Sequence, residues 1–94
     1  MPNGGETWQA GIARNIQWSY TGNPGTSVKI ELYKAGVLNR LIISSTSTGT
    51  NGAGSYNWTV PATQAVGTDY KIMVTSTTNS TFNDISNNNF AIIK

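Results

Sequence analysis

The sequence predicts an all-β protein, a two-layer antiparallel sandwich of about seven strands. Two compositional observations and one of spacing lead there. Ser plus Thr number 22 and Asn 11 among 94 residues, while charged side chains number 10. Thr, Ile, Val, Trp and Tyr favour strands, and Asn, Gly and Ser favour turns. Helix formers are scarce, with three Leu and two Glu. Turn signals return roughly every 8–15 residues, the spacing of a sandwich.

The elements follow in chain order. A first strand is expected over Glu6 to Ala10. In "ARNIQWSYTG" the residues Ile16, Trp18 and Tyr20 share one face and Asn15, Gln17 and Ser19 the other. "TGNPG" is a turn, because Asn-Pro and Pro-Gly both suit tight-turn geometry. In "TSVKIELYKAG", Val28, Ile30 and Leu32 alternate with Lys29, Glu31 and Tyr33, a dry face against a wet one. "KAGV" turns the chain into the strand "VLNRLIISSTS", and "TGTNGAG" is a polar loop. "SYNWTV" sets Tyr56, Trp58 and Val60 on one face. "DYKIMVTST" sets Tyr70, Ile72 and Val74 opposite Lys71, Met73 and Thr75. "TNSTFND" is a connection, and "NNNFAIIK" closes the chain with Phe90 and Ile92 inward. Dry faces of this kind must pack on one another, and two stacked sheets are the simplest solution.

Length and charge bound the function. Residues 1–94 make one domain, and Met1 directly before "PNGGETW" reads as a start added to a module excised from a larger multidomain protein. Leu, Ile, Val and Phe total 19, close to the disordered range, but disorder also needs a high net charge and here it is +2. The cations Arg14, Lys29, Lys34, Arg40, Lys71 and Lys94 are scattered, which argues against nucleic acid. With no Cys and no His, disulfides, thiolate or zinc sites and Ser-His-Asp or Cys-His nucleophiles are excluded. No apolar run approaches the roughly 20 residues of a membrane helix, so membrane insertion is not expected. "NGGE" lacks the Lys-Ser/Thr of a phosphate loop and leads into a strand. Its glycines are therefore read as a turn, with Trp8 covering one end of the core.

"AVGTDYKIMV" adds a finer signal. Immunoglobulin-like sandwiches carry a Tyr near the start of their sixth strand whose hydroxyl bonds back to the preceding corner, and Tyr70 sits at that place. Trp18, Trp58 and Tyr56 are expected to be structural with it.

Taken together, "PNGGETWQAG", "NIQWSYTG", "SVKIELYK", "GSYNWTVP" and "GTDYKIMVTS" closely resemble the Ser/Thr-rich, cell-wall-synthesis-like extracellular domain family. Its name derives from yeast proteins of β-1,6-glucan assembly. The likeness covers nearly the whole chain. It implies an immunoglobulin- or fibronectin-III-like sandwich from large secreted or surface proteins of bacteria and archaea. No catalytic residues are defined for that family, so the resemblance implies none here.

Candidate chemistry is sparse. The carboxylates Glu6, Glu31, Asp69 and Asp84 show no pairing of the kind glycosidases need. No cofactor is expected; calcium alone needs only oxygen donors, and Asp84, Glu6 and Asn87 are its weak candidate ligands. The wet face formed by Tyr33, Lys29, Glu31, Lys71 and Met73 is the expected ligand-binding surface. Asn57 in "NWT" and Asn79 in "NST" match glycosylation sequons, Asn79 being the better acceptor. The sequence thus predicts a non-catalytic, extracellular or cell-surface module acting as spacer or adhesion unit, with a carbohydrate-binding module as the alternative. A monomer is expected, with neighbouring domains, polysaccharide or a surface protein as partners. "VLNRLIISS" is the stretch suited to pairing with a neighbouring copy.

Overall fold

The computed structural model describes residues 6–20, 25–50, 52–78, 82–85 and 88–94. They form eight strands: β1 (Thr7–Gln9), β2 (Ala13–Ser19), β3 (Ser27–Lys34), β4 (Val37–Ser47), β5 (Ala53–Thr59), β6 (Gly67–Ser76), β7 (Asn83–Ile85) and β8 (Phe90–Ile93). Seven of these are the expected strands. The additional one is the short β7, which begins within the run read as a connection and ends one residue past it; its backbone pairs with Met73 to Thr75 of β6. A three-residue strand leaves too little alternation to be read from sequence.

Two sheets result. The larger has the order β1-β8-β6-β3-β4, with β7 and β8 sharing one edge of β6, and the smaller is the pair β2-β5. Every pairing is antiparallel except that of β1 with β8. The chain therefore switches sheets four times, between β1 and β2, β2 and β3, β4 and β5, and β5 and β6. This is the immunoglobulin-like arrangement, in which the second and fifth strands face a sheet built on the third, sixth and last.

The dry faces meet as the alternation requires. Ile16, Val28, Ile30, Leu32, Val60, Ile72, Val74 and Ile92 are buried together with Trp8, Trp18, Trp58, Tyr70 and Phe90. Four aromatic rings cluster with their planes tilted against one another: Trp8 lies 5.1 Å from Phe90 and 6.3 Å from Trp58, and Phe90 6.0 Å from Tyr70, centroid to centroid. Trp8 thus closes one end of the core, while Tyr56 packs against it half-buried.

Two polar side chains that enter the core, Trp18 and Tyr70, find partners. The Trp18 indole Nε1 donates to the Thr48 carbonyl at 3.0 Å. Glycine is required beneath it, because a Cβ on Gly54 would run into the Trp18 ring and the Thr48 carbonyl oxygen. Tyr70 Oη donates to the Ala65 carbonyl at 2.6 Å. Since that hydroxyl has spent its proton, it accepts from Gln64 Nε2 at 2.9 Å, and the same amide donates to Asn39 Oδ1 at 3.0 Å. The tyrosine corner thereby reaches across to the hairpin of β3 and β4.

Candidate recognition face

The outer face of the larger sheet gathers the side chains that alternation had set outward. Residues directly opposite in an antiparallel pair share a face. In the register of β3 with β6, Tyr33 stands opposite Lys71, Glu31 opposite Met73, and Lys29 opposite Thr75. Lys29, Glu31, Tyr33, Lys71 and Met73 are all half-buried. One surface therefore holds all five residues.

Its electrostatics are local. Lys29 Nζ lies 3.5 Å from Glu31 Oε1, and the Glu31 side chain keeps only 12% of its exposure against 41% for Lys29. Glu31 is flanked across the sheet by Met73 on one side and Leu41 on the other. A carboxylate so enclosed and already beside an ammonium is held as an ion pair within a mostly apolar row.

That row contains residues the sequence reading missed. Leu41 pairs with Glu31 and Leu38 with Tyr33 on β4, and Ile85 pairs with Met73 on β7. All three are exposed. With neighbouring strands about 4.8 Å apart, the row Leu41-Glu31-Met73-Ile85 spans about 14 Å. The missing signal has a structural cause. Between Val28 and Tyr33, β4 carries one extra residue at each of three register shifts. Each bulge resets which side chains point outward, so no period of two could mark Leu38 and Leu41.

Elsewhere the candidates are dispersed. Lys34 Nζ lies 3.0 Å from Asp69 Oδ1 and 3.2 Å from Oδ2, and sits 5.6 Å from the centre of the Tyr70 ring. Asp69 is therefore tied to a cation at the start of β6. Glu6 precedes β1, and its carbonyl accepts the Ala91 N–H. Of the calcium candidates, Asn87 and the Asp84 side chain lie outside the described residues; the Asp84 backbone pairs with Val74. Among the described residues no three carboxylates come together as a metal site.

The aromatic pool is spent mainly on the core. Trp8, Trp18, Trp58, Tyr70 and Phe90 are buried, and Tyr20, Tyr33, Tyr56 and Phe82 are half-buried. Among the described residues no aromatic side chain stands fully exposed as a stacking platform. Asn57 is exposed on β5, opposite Asn15 of β2, whereas Asn79 lies outside the described residues.

With this geometry in place, comparison with known families is informative. The profile of the Kre9/KNH-like N-terminal Ig-like domain matches residues 1–91. The chain belongs to that family. Its Ig-like description agrees with the two-sheet arrangement above, and it carries no restriction to bacterial or archaeal proteins. No curated protein and no solved structure matches the chain.

Proposed function

We propose that this Kre9/KNH-like domain is a non-catalytic module of a secreted, cell-wall-associated protein, serving as a spacer or adhesion unit between neighbouring domains. The observation that carries the reading is where the reactive side chains are committed. Glu31 is paired to Lys29 and Asp69 to Lys34, on different parts of the sheet. The three Trp side chains are buried in the sandwich. A chain that commits Glu31 and Asp69 to ion pairs and its three Trp to packing is built for mechanical integrity. The family description supplies the context, since Kre9/KNH proteins give it their name.

A carbohydrate-binding role has one observation in its favour: Tyr33, half-buried beside Lys71 and Leu38, offers a single ring with a neighbouring cation. Titration of the isotope-labelled chain with wall glucan and other polysaccharide fragments separates the two. The spacer reading expects the amide resonances to stay in place. Shifts confined to Tyr33, Lys71 and Met73 would replace it with a binding module and locate the site. The module is also expected to work without calcium, so a chelator should leave its melting temperature unchanged and added calcium should not raise it. A calcium-dependent rise would overturn that expectation.

A further inference from the structure

The exposed edges of the two sheets are treated unequally. On the larger sheet, β4 is long, eleven residues, but its three register shifts twist and interrupt it, and Arg40 adds a charge. The opposite edge, β1, has only three residues. Bulges, charge and shortness are the ordinary devices that keep an edge strand from pairing with another chain. These features make "VLNRLIISS" a less regular pairing edge than its sequence suggests.

Along β2 of the smaller sheet neither bulge nor shortness protects the edge, and its one charge, Arg14, shares the face of Ile16 and Trp18 rather than that of Asn15 and Gln17. Its pairing with β5 is regular over all seven residues, from Ala13 opposite Thr59 to Ser19 opposite Ala53. Val60 N–H donates to the Ile12 carbonyl and Tyr20 N–H to the Gly52 carbonyl. Backbone groups alternate sides along a strand, so even-numbered residues of β2 bond to β5. The N–H and C=O groups of Ala13, Asn15, Gln17 and Ser19 then point away from it, along an edge that no described strand covers. The side chains of those same four residues are exposed and uncharged. On β5, by contrast, the outward groups of Ala53 are already taken by Thr50 in both directions.

We propose that the outer edge of β2 is a strand-addition interface, and that its partner is β2 of a second copy of this chain, antiparallel about a twofold axis through Ile16. That register uses the whole strand. Ala13 exchanges backbone hydrogen bonds with Ser19 of the second copy, and Asn15 with Gln17 of the second copy. The amide side chains of Asn15 and Gln17 meet on the solvent face, where they hydrogen-bond across the seam. Arg14 stands opposite Trp18 of the second copy, so the strand's one cation never faces its own image. The product is a continuous four-stranded sheet, β5-β2-β2-β5. A twofold interface closes on itself, whereas β2 adding to β5 of the next copy would grow without limit.

Sedimentation equilibrium of the 94-residue chain over a wide concentration range is the direct test. The weight-average mass is expected to rise from 10.1 kDa towards twice that value and stop there. Hydrogen exchange at the Asn15 and Gln17 amides should slow at least several-fold as concentration rises, while core amides of β3 stay unchanged. The double variant Asn15→Lys/Gln17→Lys sets ammonium groups against each other across the seam and should remain monomeric. The variant Asn15→Glu/Gln17→Glu should also remain monomeric, and an equimolar mixture of the two should recover the doubled mass. A wild-type chain that stays monomeric, a mass growing past the dimer, or exchange at Asn15 and Gln17 independent of concentration would each overturn the proposal. Should a variant fail to fold, the wild-type exchange measurement decides alone.

Discussion

Tyr70 shows how one hydroxyl can organise an end of the domain. It donates to the Ala65 carbonyl and accepts from Gln64, whose amide also holds Asn39. Removing it takes a partner from the part-buried Ala65 carbonyl and from a buried Gln64 amide proton, and a buried donor left unpaired costs more than the bond itself was worth. Tyr70→Phe is therefore expected to lower stability by about 1–3 kcal/mol, read as a lower urea midpoint with an unchanged slope. Lys34 and Asp69 present the opposite case. Their ion pair is close, but each side chain keeps about a third of its exposure, and pairs of that kind contribute about 0–1 kcal/mol. Asp69→Asn should leave the urea midpoint nearly in place; a large drop would mean that the contact with Tyr70 matters more than its exposure suggests.

At the scale of elements, β5 depends on a missing side chain. Gly54 lies directly opposite Trp18 in the register of β2 with β5, with the indole over it. A methyl group there displaces either the ring or the Thr48 carbonyl that the ring bonds. Gly54→Ala should cost about 1–3 kcal/mol or more, the range for overpacking a well-filled site, and should blue- or red-shift tryptophan emission as the indole moves. Gly36 in the hairpin of β3 and β4 gives the control. It has a positive φ of 79° but nothing within 4 Å of a Cβ, so Gly36→Ala should cost only the backbone strain, about 1 kcal/mol. The contrast separates crowding from conformation. The elements also differ in how they were made legible. β3 and β6 repeat a strict alternation because both faces of their environment are fixed, the core on one side and solvent on the other. β4 carries its bulges at the edge, where nothing enforces a register, and its outward residues could not be read from spacing.

The whole molecule is held by pairings between distant parts of the chain. β1 pairs with β8, and β2 with β5 across the intervening hairpin. Removing residues from Phe90 onward takes two buried side chains, Phe90 and Ile92, and the strand that β1 pairs with among the described residues. Large-to-small losses at such sites cost about 2–5 kcal/mol each, comparable to the 5–15 kcal/mol that holds a domain of this size together. The truncated chain should be unfolded by circular dichroism and amide spectra at room temperature. Native-like dispersion would show that the remaining sheet is self-sufficient.

The sequence by itself determined the sandwich, the inward faces of β2, β3, β5, β6 and β8, and the place of Tyr70. Each of these is set locally, by a two-residue period or by a turn residue with a restricted backbone. It also placed Lys29, Glu31 and Tyr33 on one side of β3, and Lys71 and Met73 on one side of β6. Only the tertiary structure decided that the two sets lie side by side, because strand order and register depend on which dry faces meet, not on either strand alone. The same holds for Leu38, Leu41 and Ile85, which join that surface through bulges and a three-residue strand. It holds again for the edges: a run such as "VLNRLIISS" looks suited to pairing until its register is known. A run such as "ARNIQWS" gives no such sign until the fold leaves its outer backbone uncovered by any described strand.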